Sequence, residues 1–322
     1  MTAGAGIVGV SLSLCPRGWP CYHGPSMNSA IVVVLLGVLT AVSWGVSDFL
    51  CAKSAKAAGP VTAAVVVNTL SLAAFAVLYM VLFRGEGKVS GAGIGLAVAS
   101  GVVIAAGTAL FFVALAAGPV SIVSPLTSVY PFVTTVVALM IFRAHLSGRE
   151  LVGVILVLAG VMAASGLLTT GRPAQKVTKG PALALLTAVL WGIGYALLAQ
   201  AMKQLGWQTA TLVELACIAG VLLVALPFVR GKEVLAFRVV AHVAGSKTVL
   251  SAAAIQLLGV LAFNAGLARS GASGGAVVTA VSACYPILTI ILSLKHFQEE
   301  IRLVALAGAC AGIVGVVVLS LG

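Results

Sequence analysis

Hydrophobic positions in this chain fall into runs of about 20 residues separated by short polar breaks, and the runs carry neither strand-like alternation nor a polar stripe. About 20 apolar residues in a helix cross the hydrocarbon core of a bilayer. The runs are Ala30 to Phe49, Val61 to Phe83, Ile94 to Ala117, Val120 to Phe142 and Leu151 to Leu168. After a polar stretch come Ala182 to Met202, Thr209 to Val229, Val249 to Ala268, Ala276 to Leu294 and Leu303 to Leu321. Each predicts a membrane-spanning helix, and the segments between them are too short to form a soluble domain.

The polar stretch from Arg172 to Gly180 divides the runs five and five, and the two halves repeat one another. Trp44-Gly45 in the first run matches Trp191-Gly192 in the sixth at an offset of 147. Tyr130-Pro131 in the fourth matches Tyr285-Pro286 in the ninth at 155, and Gly153 and Gly160 match Gly308 and Gly315 at the same offset. A longer loop after the seventh run, Arg230 to Thr248, accounts for the change of 8. The implied organisation is an extension over 1–26, a first repeat over 27–170, a linker over 171–180 and a second repeat over 181–322. Five is odd, so the second copy enters the membrane from the opposite side. The predicted fold is an all-α membrane protein of ten transmembrane helices in an inverted five-plus-five repeat. Such repeats are common in secondary transporters, whose substrate sites lie near the midplane between the halves.

Composition agrees with hydrocarbon as the solvent. The chain is 61% hydrophobic and 8% charged, against about 25% charged residues in soluble domains. The net charge of +11 is spread singly between apolar runs and forms no basic block with interleaved aromatics; no nucleic-acid partner is expected. Ten spans put both termini on one side, which carries seven Lys and Arg against eleven on the other. The positive-inside rule thus leans towards termini outside. Met1 to Cys15 is apolar but short and has no basic residue ahead of it, unlike a signal peptide. Met27, just before the first run, is the expected functional start, or else residues 1–26 form a disordered tail. The six cysteines form no CxxC and have no His at ligand spacing, so buried thiols are expected rather than a metal or disulfide framework. No cofactor is expected, and the absence of G-x-x-x-x-G-K-[ST] argues against ATP hydrolysis.

Ionisable and polar groups within spans are costly and mark candidate function. Glu214 lies about five residues into the seventh run, and Asn68 occupies a similar depth in the second. Trp44 and Trp191 recur in both halves, with Asp48 and Tyr195 four residues later on the same helix face. Asp48, with Lys53 close behind it, reads as a marker of the water interface. Pro125, Pro131 and Pro286 interrupt the fourth and ninth runs, and broken helices often line transporter sites. The substrate-cavity candidates are therefore Trp44, Asn68, Tyr130, Pro131, Trp191, Tyr195, Glu214, Asn264, Tyr285 and Pro286.

These features together resemble the drug/metabolite transporter superfamily in its ten-helix form with two EamA-type repeats. The resemblance rests on the duplicated Trp-Gly, a short connection between third and fourth helices, the prolines of the fourth helix in Ser124 to Pro131, and a glycine-rich fifth helix. It covers roughly Ala30 to Gly322. The family's Glu ahead of the fifth helix is matched by Glu299 in the second repeat but by Ala144 in the first. The resemblance implies export of a small metabolite or drug across the cell (inner) membrane by a multi-pass protein, with cytoplasmic termini against the charge count. The expected partners are a small-molecule substrate and the lipid bilayer; a monomer is compatible with the sequence. A lipid-linked sugar flippase of the same superfamily is the alternative within transport. A rhomboid-like protease is the alternative outside it, on the strength of Gly271-Ala272-Ser273-Gly274-Gly275 and His242, although their order is the reverse of the rhomboid order. On the transporter reading the chain is not an enzyme.

Overall fold

The computed structural model describes residues 27–83, 90–142, 179–230, 243–269, 281–298 and 303–320, together with residues 148, 152, 153, 155, 156, 159, 160, 163, 278 and 279. The extension over 1–26, most of the linker, Ala144, His242, Ser273 and Glu299 lie outside the described residues.

Among the described residues the secondary structure is all α. The first repeat contributes α1 (Met27–Ala58), α2 (Pro60–Leu82), α3 (Gly91–Ala117), α4 (Val120–Thr127) and α5 (Tyr130–Phe142). The second contributes α6 (Lys179–Leu205), α7 (Trp207–Arg230), α8 (Lys247–Arg269), α9 (Tyr285–Phe297) and α10 (Leu303–Ser320). The described residues between 152 and 163, in the predicted fifth run, are helical. Six helices (α1, α2, α3, α6, α7 and α8) are long and apolar enough to cross a membrane, and shorter apolar helices accompany them. Large apolar side chains such as Leu35, Val77, Val81, Met140 and Val224 point outward, more than half exposed. That surface is stable only against lipid.

The helix boundaries have local causes. α1 runs nine residues past the predicted end at Phe49, because Lys53 and Lys56 stay on its exposed face while Cys51, Ala52, Ser54 and Ala55 are buried. The stop is Gly59, at φ 85°, followed by Pro60 at the first position of α2, where its missing N–H costs nothing. Gly206, at φ 80°, does the same between α6 and α7. The predicted fourth span is two helices. Pro131 has no N–H for the Thr127 carbonyl, and its ring excludes that carbonyl from helical geometry, so α4 ends at Thr127 and α5 begins at Tyr130. Pro286 stands likewise four residues after Ser282, with a turn at Ala283 and Cys284 before α9.

The repeats are interlocked rather than side by side. α1 packs on α8 and α9 of the second repeat, and α6 packs on α3 and α5 of the first. Both motifs recognised in the sequence lie on these contacts. A Cβ on Gly45 would stand 2.7 Å from the Tyr285 carbonyl oxygen, and one on Gly192 would stand 2.8 Å from that of Tyr130. So the glycine of each Trp-Gly pair lies against the Tyr-Pro backbone of the other repeat. Thr289 Oγ1 donates to the Gly45 carbonyl at 3.0 Å and Thr134 Oγ1 to that of Gly192 at 3.0 Å, closing each contact with a hydrogen bond. The indole of Trp191 lies over Gly107 of α3 and that of Trp44 over Gly259 of α8, where a Cβ would strike the ring.

Candidate functional site

Where the four motif-bearing helices meet, a cavity of about 90 Å³ lies between the repeats. That is room for several water molecules, one needing on the order of 10–15 Å³. Its walls come from α1, α2, α3, α5 and α6 to α9.

The frame of the cavity is aromatic and nearly symmetric. Trp44, Tyr285 and Phe263 form one cluster, with Trp44 5.1 Å from Phe263 and edge-on to Tyr285 at 5.9 Å. Trp191, Phe111, Tyr130 and Tyr195 form its counterpart, with Phe111 to Trp191 at 5.0 Å and Tyr130 to Tyr195 at 4.9 Å. Tyr195 and Phe263, 6.2 Å apart, join the two. The Tyr285 hydroxyl lies 3.2 Å from Thr127 Oγ1 in the kink of the fourth span. A helix break thus supplies a hydrogen-bonding partner at the cavity wall.

The polar groups break the symmetry. Asp48 of α1 is buried, and its Oδ2 accepts from Ser124 Oγ at 2.6 Å. Glu214, in the third turn of α7, is 4% exposed, and among the described residues its Oε2 has no hydrogen-bond partner. Asn68 donates to the Ala64 carbonyl at 2.8 Å and accepts from Gln256 Nε2 at 3.2 Å. Asn264 donates to Thr211 Oγ1 at 2.8 Å. No basic side chain lines the cavity among the described residues.

Eight of the ten sequence candidates line this one cavity: Trp44, Asn68, Tyr130, Trp191, Tyr195, Glu214, Asn264 and Tyr285. Pro131 and Pro286 do not; they are buried at the helix breaks and shape the wall through the backbone. The assignment of Asp48 to the water interface is corrected, since α1 continues for ten residues beyond it and turns its carboxylate inward. Gln256 is a lining residue absent from the sequence candidates. Its signal is its spacing, two helical turns before Asn264 on one face of α8. Cys51 is buried, Cys217 and Cys284 are half-buried and Cys310 is exposed, and none of these four forms a disulfide. Among the described residues no cluster of His, Cys, Asp or Glu is placed to hold a metal ion.

The fold and cavity define a multi-pass, all-α membrane protein with a buried, polar-lined chamber between two interlocked repeats. The chain belongs to the EamA-like transporter family, whose model matches it twice, over residues 31–166 and 178–321. The two matches fall on the two repeats read from the sequence. An uncharacterized protein of Methanocaldococcus jannaschii is 28% identical over 139 residues, which is 42% of this chain and 96% of that one. That relative has the length of a single repeat. A solved crystal structure superposes with a TM-score of 0.58 at 17% identity, covering 91% of this chain and 96% of the other. That likeness concerns the fold.

Proposed function

We propose that this protein is a secondary transporter of small organic solutes, exporting a metabolite or drug across the cell (inner) membrane through the cavity between its repeats. The observation that carries this reading is the cavity itself, lined from both repeats by buried polar groups within a paired aromatic frame. In inverted-repeat transporters alternating access is largely a rocking of one repeat against the other around a fixed midplane site. The close glycine contacts of α1 with α9 and of α6 with α5 are surfaces on which such rocking can turn. Family membership makes transport, rather than catalysis, the activity to test.

The test is solute counterflow in proteoliposomes, over a panel of amino acids, nucleosides, organic cations and organic acids. Val260 lines the cavity, and Val260→Trp would fill it. Val224, 67% exposed on the outer surface, supplies the control Val224→Trp. At least one solute should exchange with the native protein and with Val224→Trp, and fail with Val260→Trp. Equal exchange in all three proteins, or exchange of no solute, would refute the reading. Inverted vesicles and overproducing cells then give the direction.

A further inference from the structure

Two carboxylates line the cavity, one from each repeat, and neither has an acidic counterpart in the other half. The position equivalent to Asp48, 147 residues on, is Tyr195, and Glu214 lies at the depth of Asn68. The aromatic frame thus recurs in both halves, whereas each acidic group occurs in one half alone. Neither makes a salt bridge to a cavity side chain, because no basic residue lines the cavity among the described residues. The hydrogen bond from Ser124 satisfies one oxygen of Asp48, while Glu214 Oε2 is buried and unpartnered among the described residues. Tyr195 stands within electrostatic reach of both carboxylates, with the Phe263 ring beside it and the Trp44 ring beside Phe263. Aromatic faces attract a cation and carboxylates bond an ammonium. With a neutral or anionic solute both carboxylates lack a counter-charge and must protonate to stay in the membrane interior, whereas a cation pairs with their charged forms.

We infer that this cavity takes a small organic cation, an ammonium group on an apolar or aromatic body, held between Asp48 and Glu214 and walled by Trp44, Tyr195 and Phe263. The inference rests on the transport reading above and narrows its substrate class. The eight aromatic side chains in the wall replace none of a bare metal ion's hydration, and sodium among the probes tests that occupant.

The experiment measures binding to the full chain in detergent, through quenching of tryptophan fluorescence, and counterflow in proteoliposomes. The probes are benzyltrimethylammonium and choline, with 3,3-dimethylbutanol as the uncharged isostere of choline, benzoate as an anion, and sodium. Both ammonium probes should bind, and choline should bind at least tenfold more tightly than its isostere. Asp48→Asn and Glu214→Gln should each weaken choline at least tenfold and bring its affinity towards that of the isostere, with size-exclusion elution unchanged from the native protein. Glu214→Asp should retain the preference for charge. Equal affinity for choline and its isostere, unchanged choline binding in both carboxylate variants, or displacement of the probes by equimolar sodium would overturn the inference. If neutral or anionic solutes exchange in a manner blocked by Val260→Trp and cations do not, the cation class falls while transport stands. If nothing exchanges, both fall.

Discussion

The contact of Gly45 with the Tyr285 backbone can be tested by adding one methyl group. In Gly45→Ala the new Cβ would lie 2.7 Å from the Tyr285 oxygen and 2.9 Å from Leu288 Cβ. The first of these atoms is backbone and cannot rotate away. α1 must therefore separate from α9, and the separation lengthens the 3.0 Å hydrogen bond from Thr289 Oγ1 to the Gly45 carbonyl. Overpacking costs about 1–3 kcal/mol, and loss of the hydrogen bond adds roughly 0.5–1.5 kcal/mol. A total on the order of 2–4 kcal/mol lowers Tm by roughly 3–6 °C for a chain of this size. Gly192→Ala meets the Tyr130 backbone and Val133 in the same way and should behave alike. Gly95 and Gly220 are helical, and a Cβ on either meets nothing within 4 Å. Gly95→Ala and Gly220→Ala should be neutral or slightly stabilising, since Ala is the better helix former. The assay is thermal unfolding in one detergent, followed by thiol-reactive dye or by size exclusion after heating. If Gly45→Ala melts with Gly95→Ala, the close approach is not a constraint on the Trp-Gly motif.

The spans and the duplication were legible in the sequence because hydrocarbon leaves few options. A run of about 20 apolar residues has only the helix in which to satisfy its backbone. The paired Trp-Gly and Tyr-Pro motifs were legible as pairs, but not as partners. Gly45 touches Tyr285, and Gly192 touches Tyr130, across the repeat boundary, and no local periodicity encodes such a contact. Asp48 reads as interfacial because hydropathy falls from Asp48 to Lys56. The helix end is set instead by Gly59 and Pro60, and up to that point the polar residues divide between an inner and an exposed face. Glu214 and Asn264 were legible because a polar side chain within an apolar run is too costly to leave facing lipid and must turn towards the interior. Gln256 obeys the same rule, and its position on the face of Asn264 would have assigned it.

Topology can be checked with reporters fused after Gly322 and in the linker near Lys176, which should report opposite sides; identical signals would contradict the five-plus-five arrangement. Deletion of residues 1–26 should leave insertion and transport unchanged, and loss of insertion would make that segment a targeting element. Asn264 offers a separation of stability from function. It is 2% exposed and donates to Thr211 Oγ1 at 2.8 Å, linking α8 to α7. Thr211 also donates its own hydroxyl to the Trp207 carbonyl at 2.7 Å, so Asn264→Leu leaves Thr211 with a partner. A buried hydrogen bond between membrane helices contributes about 0.6 kcal/mol on average and about 1.7 at most. The coupling energy from a cycle of Asn264→Leu, Thr211→Val and the double variant should fall within that range. Solute exchange should fall much further, because Leu removes an amide from the cavity wall where the transported group must be solvated. A coupling energy of about 3 kcal/mol or more would make the pair a structural strut. Exchange that survives Asn264→Leu intact would remove Asn264 from the solute path and leave Ser47, Asp48, Asn68, Thr108, Glu214 and Gln256 as its polar lining.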